Sequence, residues 1–374
     1  MAHDSKVYFF SSFFRPIGRN ASLLVLLVVL SVSALAQAPN SFRIGGNYGL
    51  VVPHRDDLKP LVTGNSVAIT ASAEWIVDGS KRWHYNYFRP RWGVELYAAD
   101  LGNRAELGRQ AALSLYTLLP IRRGERFEHF LLAAGGIGFT DTTWDLEDNT
   151  KAIALGSPLN ASVILGVQSD YYLSDHWHIG ASLRMTHLSN GAYTLPNLGI
   201  NNLTVGLQAV YHINPIVPLP EGIWTSVLPR GRAHYAMLLT GVKENLPPGG
   251  PKFSVHTFSY AYEFRPSWKR GWSIRSDLFY NMAAAQLLGE EGQSDVLDMV
   301  QHGVALSYNQ HFGRLRFDLM MGAYTFTRYK GNGTFYHRFS LRYDITEDWQ
   351  CMIGLKTHWA KADYPEFGIG YRIF

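Results

Sequence analysis

In Phe335-Tyr-His-Arg-Phe-Ser-Leu-Arg-Tyr-Asp344, Phe335, Phe339, Leu341 and Tyr343 stand at one parity, Tyr336, Arg338, Ser340, Arg342 and Asp344 at the other. Successive side chains of an extended chain point to opposite faces, so this is a strand with one greasy and one polar face. The pattern repeats in Leu315, Phe317, Leu319 and Met321 against Arg316, Asp318 and Met320. It repeats again in Ala161, Val163, Leu165 and Val167 against Ser162, Ile164, Gly166 and Gln168.

A soluble β-sandwich also alternates, but it buries its greasy face against a second sheet and uses shorter strands. Here the alternating runs extend over about ten to fourteen residues with Tyr and Trp near their ends, the plan of a transmembrane barrel with an apolar band, aromatic girdles and a polar lumen. Aromatic residues make up 14% of the chain and charged residues only 17%, and no apolar run beyond the N-terminal segment approaches the length of a membrane helix. The last strand, Phe367-Gly-Ile-Gly-Tyr-Arg-Ile-Phe374, ends in Phe and resembles the terminal strand that barrel-assembly machinery recognises.

At the other end, Lys6, Arg15 and Arg19 precede an apolar run from Ala21 to Leu35 that closes on Ala34-Leu35-Ala36. That is the plan of a secretory signal peptide, expected over 1–36 with cleavage after Ala36 or Ala38. The run is about fifteen residues, short of the roughly twenty a spanning helix needs. The formal charge of +4 gives no reason to expect a nucleic-acid partner, and with Cys351 as the only cysteine the exported chain holds together without disulfides.

Strands are expected near 41–53, 65–78, 90–101, 109–120, 127–139, 160–173, 177–189, 201–213, 231–243, 252–264, 271–283, 300–312, 315–328, 335–344, 350–361 and 366–374. With both termini periplasmic, links after even strands should be short, as at Leu173–Trp177, His311–Arg314 and Ile345–Trp349. The links at 79–90 and 214–230 break that rule, and the second, Pro-rich, divides the mature chain almost in half. Two small eight-stranded barrels or one larger barrel would fit. The expectation is an all-β, transmembrane antiparallel barrel, single over 37–374, of about 14 to 16 strands, with 12 possible.

Chemistry concentrates in Thr186-His-Leu-Ser-Asn-Gly-Ala-Tyr-Thr-Leu-Pro-Asn-Leu-Gly-Ile-Asn201. His187 and Ser189 are two apart on a strand and share a face, close enough for an imidazole to take a hydroxyl proton. Their parity includes Ile179, Ala181, Leu183 and Met185, which places them on the lipid side of the wall at the outer end of the seventh strand. Asn201 shares parity with Leu203, Val205 and Leu207, so it lies beside His187 across the hairpin. An acyl chain already in the membrane reaches such a site; a water-soluble substrate has no reason to.

The His187-x-Ser189-Asn190-Gly191 stretch followed by Pro196-Asn197-x-Gly199-Ile200 resembles the active-site hairpin of the lipid A 3-O-deacylase (acyloxyacyl hydrolase) family of outer-membrane β-barrels. The detailed match covers about sixteen residues, with general barrel similarity over 41–213. The resemblance implies a serine esterase of the bacterial outer membrane that removes a 3-O-linked acyl chain from lipid A of lipopolysaccharide in the outer leaflet. Ser189 would be nucleophile and His187 general base, with Asn197 and the backbone at Asn190 and Gly191 as oxyanion donors, and neither cofactor nor metal. Members with a full triad carry Glu where this chain has Asn201, whose carbonyl can fix the imidazole tautomer but supplies no charge. Residues 231–374 lie beyond the compact deacylase pattern. Two other classes stay open: a channel, which needs an open lumen, and a structural barrel that keeps the hairpin without chemistry. The acidic loop Asp141–Asp148 reads as solvated rather than cation-binding, and His176-Trp-His178 as a strand end.

Overall fold

The computed structural model describes residues 38–215, 231–288, 295–359 and 361–374; the expected signal peptide and all but the first two residues of the 214–230 link lie outside them. Among the described residues sixteen antiparallel strands run in chain order: β1 (Ser41–Val51), β2 (Ser66–Ile76), β3 (Arg91–Asp100), β4 (Arg109–Arg123), β5 (Phe127–Thr140), β6 (Leu159–Tyr172), β7 (Trp177–Ser189) and β8 (Ile200–His212) come first. Then follow β9 (Gly231–Glu244), β10 (Lys252–Arg265), β11 (Arg270–Asn281), β12 (Val300–Phe312), β13 (Leu315–Phe326), β14 (Phe335–Asp344), β15 (Trp349–His358) and β16 (Lys361–Arg372). A short helix α1 (Arg82–Asn86) sits in the β2–β3 link.

The single large barrel expected from the sequence is corrected: the chain closes twice, β1–β8 into one barrel and β9–β16 into another. β8 returns to β1 along the full length of β1, from Ser41↔His212 to Val51↔Asn202. β16 returns to β9 over a shorter seam, from Arg372↔Tyr235 to Glu366↔Gly241. Above Glu366 stands Pro365, which has no N–H to give to a ladder and ends the pairing there.

Eight strands close because side chains from each half fill the bore. In the first barrel Arg43 reaches Glu74 at 2.6 Å and Asp170 at 2.9 Å, while Arg184 reaches Glu95 at 2.9 Å. In the second, Arg342 and Arg275 share Asp318 at 2.6 and 2.8 Å, Arg338 meets Asp277 at 3.0 Å, and Lys356 meets Asp363 at 2.8 Å. Arg184, Arg275, Arg338, Arg342 and Lys356 are fully buried, so these bores are plugs of ion pairs rather than water-filled lumens. At the long-loop end of the first barrel the filling turns apolar: Val51, Leu58, Tyr97, Leu101, Leu155, Leu188 and Ile200 form one cluster.

The outer walls are greasy, with Leu207, Leu238, Ile274, Leu306 and Ile353 all about half exposed or more. Cross-strand pairs Trp177–Tyr211, Trp272–Tyr308 and Trp349–Tyr371, with ring centroids 5.0, 5.2 and 5.0 Å apart, ring the short-turn end as a girdle. The barrels touch there through the α1 segment: the Tyr87 hydroxyl donates to the His311 carbonyl at 2.7 Å, and its ring stacks on Phe312 at 4.5 Å.

Candidate active site

β7 and β8 hold the site, and the apolar plug holds β7 and β8. Leu188 and Ile200 point inward and are almost completely buried, which leaves their neighbours His187, Ser189 and Asn201 on the outward face, partly covered. His187 pairs directly with Asn201 across the hairpin, as parity predicts.

The imidazole Nδ1 lies 2.6 Å from Asn201 Oδ1. Asn201 Nδ2 lies 2.9 Å from His54 Nδ1, and His54 Nε2 lies 2.9 Å from the Leu198 carbonyl oxygen. A carbonyl can only accept, and with both imidazoles neutral this fixes every proton in the row. His54 must carry its proton on Nε2, its Nδ1 must accept from the Asn201 amide, and Asn201 Oδ1 must accept from His187 Nδ1–H. His187 Nε2 is thereby left as a bare lone pair. His54 is the residue sequence reading missed; it follows β1 in the loop that β1–β8 closure carries beside Asn201, where Val52 N–H donates to the Asn201 carbonyl at 2.8 Å.

Ser189 is gripped from the other side. Its Oγ receives the Gly191 N–H at 3.1 Å and the Asn197 amide at 2.9 Å. Asn197 Oδ1 accepts from Asn190 N–H at 3.1 Å, which turns its NH2 group toward the serine. The expected donors therefore divide: Gly191 and Asn197 face Ser189, while Asn190 organises the loop, its side chain donating to Ser157 Oγ and the Thr194 carbonyl, both at 2.9 Å. Among the described residues no hydrogen bond joins His187 to Ser189. The Ser189 hydroxyl instead lies 3.2 Å from Asn197 Oδ1, to which it can donate, and a contact between nucleophile and base commonly tightens only once substrate is bound.

Gly199 explains part of the motif: at φ +78° a Cβ there would stand 2.8 Å from His187 Cε1, so only glycine lets the loop pass the imidazole. Gly191, at φ +69°, is packed so that a Cβ would meet Leu355 and Pro365 of the second barrel at 3.1 Å.

A histidine beside a hydroxyl is not in itself distinctive in this chain. His129 meets Ser169 at 2.8 Å, His302 meets Ser276 at 3.0 Å, and His256 meets Thr240 at 3.2 Å, each pair on the outward wall. What separates His187 is an amide partner whose orientation is fixed, next to a serine held by two N–H donors. The other candidates are spent locally: Asp141 pairs with Arg109 at 2.7 Å, Asp145 accepts from Glu147 and Asp148 backbone, and His176 bonds the His212 carbonyl at 2.8 Å. No cluster of metal-ligating side chains occurs among the described residues.

Two family models match the chain. Residues 68–209 match "Lipid A 3-O-deacylase (PagL)", and residues 233–374 match "Acyloxyacyl hydrolase, C-terminal domain", so the models divide at the same link as the barrels. No curated protein matches. Among solved structures, the outer membrane enzyme PagL is similar at 17% identity and a TM-score of 0.30, over 44% of this chain and 97% of its own. A triple mutant of the Rhodopseudomonas blastica porin is similar at 7% identity and a TM-score of 0.17, over 90% of this chain and 99% of its own. At these scores the structural likenesses add nothing to the family matches, which together span most of the chain. The chain belongs to the lipid A 3-O-deacylase family, with the acyloxyacyl hydrolase C-terminal domain forming its second half.

Proposed function

We propose that this protein deacylates lipid A in the outer membrane through a serine-type site in which Ser189 is the nucleophile and His187 the general base. One observation carries the reading: on the wall that faces lipid, Ser189 Oγ lies within hydrogen-bond reach of the Gly191 N–H and Asn197 Nδ2, beside an imidazole whose Nδ1 proton is committed to Asn201.

His187 Nε2 takes the hydroxyl proton as Oγ attacks the carbonyl of the ester at the 3-position. The carbonyl π electrons move onto oxygen, and Gly191 N–H and Asn197 Nδ2 transfer from Oγ to that oxyanion. Collapse expels the 3-hydroxyl of the sugar with the proton from His187, leaving an acyl-serine. Water, deprotonated by the same imidazole, then releases the fatty acid and restores the serine. Asn201 fixes the tautomer without adding charge, so the imidazolium is less stabilised than beside a carboxylate. His54 supports the reading by deciding which end of the Asn201 amide faces the imidazole.

The deciding experiment is mass spectrometry of lipid A incubated in detergent with wild type or Ser189→Ala. Loss of one 3-linked acyl chain with wild type alone supports the proposal. Unchanged lipid A with both proteins, each folded by heat-modifiable gel mobility, refutes it in favour of a structural barrel.

A further inference from the structure

We propose that the second barrel braces the site of the first, with Glu244 as the positioning residue; this rests on the reading of Ser189 as nucleophile. The place is set by the short β9–β16 seam. Pairing stops at Glu366↔Gly241, below Pro365, so the last residues of β9 have no ladder partner on that side. The loop of the first barrel fills the gap: Glu244 N–H donates to the Ala192 carbonyl at 3.1 Å. The Glu244 carboxylate, almost completely buried, turns back to accept from Leu195 N–H at 3.3 Å. Its other oxygen is tied to the β9–β10 turn through Gly250 N–H at 3.2 Å, so the brace is rigid. Lys252, 3.9 Å from the same carboxylate, lies over the Tyr193 ring at 4.8 Å.

What is braced matters for the chemistry. Gly191 and Ala192 both adopt positive φ, +69° and +68°, and a residue with a Cβ holds that conformation only when its surroundings impose it. Glu244 grips the carbonyl at the end of this pair, and Leu355 and Pro365 pack against Gly191. The N–H that meets Ser189 Oγ belongs to Gly191. From inside the first barrel the loop is held at Asn190, whose side chain donates to Ser157 Oγ at 2.9 Å, and at its far end, where Leu198 and Gly199 N–H groups donate to the Ala154 carbonyl, both at 3.0 Å. The second barrel thus adds to the hold of Ser157 on Asn190 a support at the residue that follows the oxyanion donor, which gives residues 231–374 a part in the reaction without contributing an atom to it.

The test uses full-length Glu244→Ala and Glu244→Gln, confirmed as folded by heat-modifiable mobility, beside Ser189→Ala. Two readouts are taken: kcat and KM on detergent-dispersed lipid A, and the rate at which a small fluorophosphonate labels Ser189. Glu244→Ala keeps the backbone bond to Ala192 and removes the carboxylate's hold on Leu195 and on the turn at Gly250; it is expected to lower kcat and labelling by about tenfold with KM changed less than about twofold, because a misplaced donor costs rate rather than binding. Glu244→Gln, which keeps one acceptor oxygen and a similar shape, is expected to lose less and decides the matter if the alanine variant fails to fold. Wild-type kcat and labelling in the folded variants, with Ser189→Ala inactive, overturn the brace alone. Full activity of Ser189→Ala overturns the nucleophile reading, and the brace with it.

Discussion

Replacing His54 by alanine tests the proton row at its free end. In the wild type, flipping the Asn201 amide breaks its 2.9 Å bond to His54 and sets Oδ1 against the lone pair of His54 Nδ1. One net hydrogen bond plus that repulsion amounts to about 1–2 kcal/mol, a bias of roughly 5- to 30-fold toward the productive orientation. Without His54 the amide fits either tautomer of His187, and about half of the molecules or more hold the proton on Nε2, where no base remains. The expected loss in kcat is roughly two- to fivefold, measured as released 3-hydroxy fatty acid at saturating lipid A. The same substitution made on Asn201→Asp is expected to cost nothing, because a carboxylate presents equivalent oxygens and needs no orienting, while Asn201→Asp alone raises kcat by stabilising the imidazolium. An equal loss from His54→Ala in both backgrounds would rule out the orienting role, since it would mean that His54 acts by filling space.

Gly199→Ala places a methyl 2.8 Å from His187 Cε1 at φ +78°, and is expected to cut lipid A turnover more than about tenfold while the barrel remains heat-modifiable. Arg338→Met strands Asp277 and Glu366, both fully buried, and should lower stability by about 3–5 kcal/mol, seen as an earlier midpoint in denaturant titration in detergent. Planar-bilayer recordings of the purified protein should show no stepwise conductance, because the buried arginines plug both bores; porin-like steps would contradict this.

The strands were legible because alternation is local: β14 begins and ends where Phe335 and Asp344 predict, and the parity of His187, Ser189 and Asn201 follows from counting by two. Closure was not, because period-two patterning says which face a residue takes and nothing about which distant strand it pairs with. The Pro-rich link at 214–230 marked the division without saying that β8 returns to β1. His54 was hidden for the same reason, being 147 residues from Asn201 and brought beside it only by that return. Asn197 and the backbone at Asn190 and Gly191 were grouped as donors; only the backbone path spends the Asn190 N–H on Asn197 Oδ1 and its side chain on Ser157, and turns the Asn197 amide toward Ser189.

The abbreviated seam between β9 and β16 has a consequence for durability. A ring of strands is as lasting as its weakest joint, and here one joint is clasped from Phe374 to Glu366 and no higher, while its counterpart in the first ring is zipped along all of β1. Local opening starts where the fewest hydrogen bonds must be given up. The upper lip of that joint is also where the neighbouring hairpin is lodged through Ala192 and Leu195. Opening of the second ring at this lip would therefore put at stake the bonds from Glu244 to Ala192 and Leu195 that lodge the first ring's hairpin.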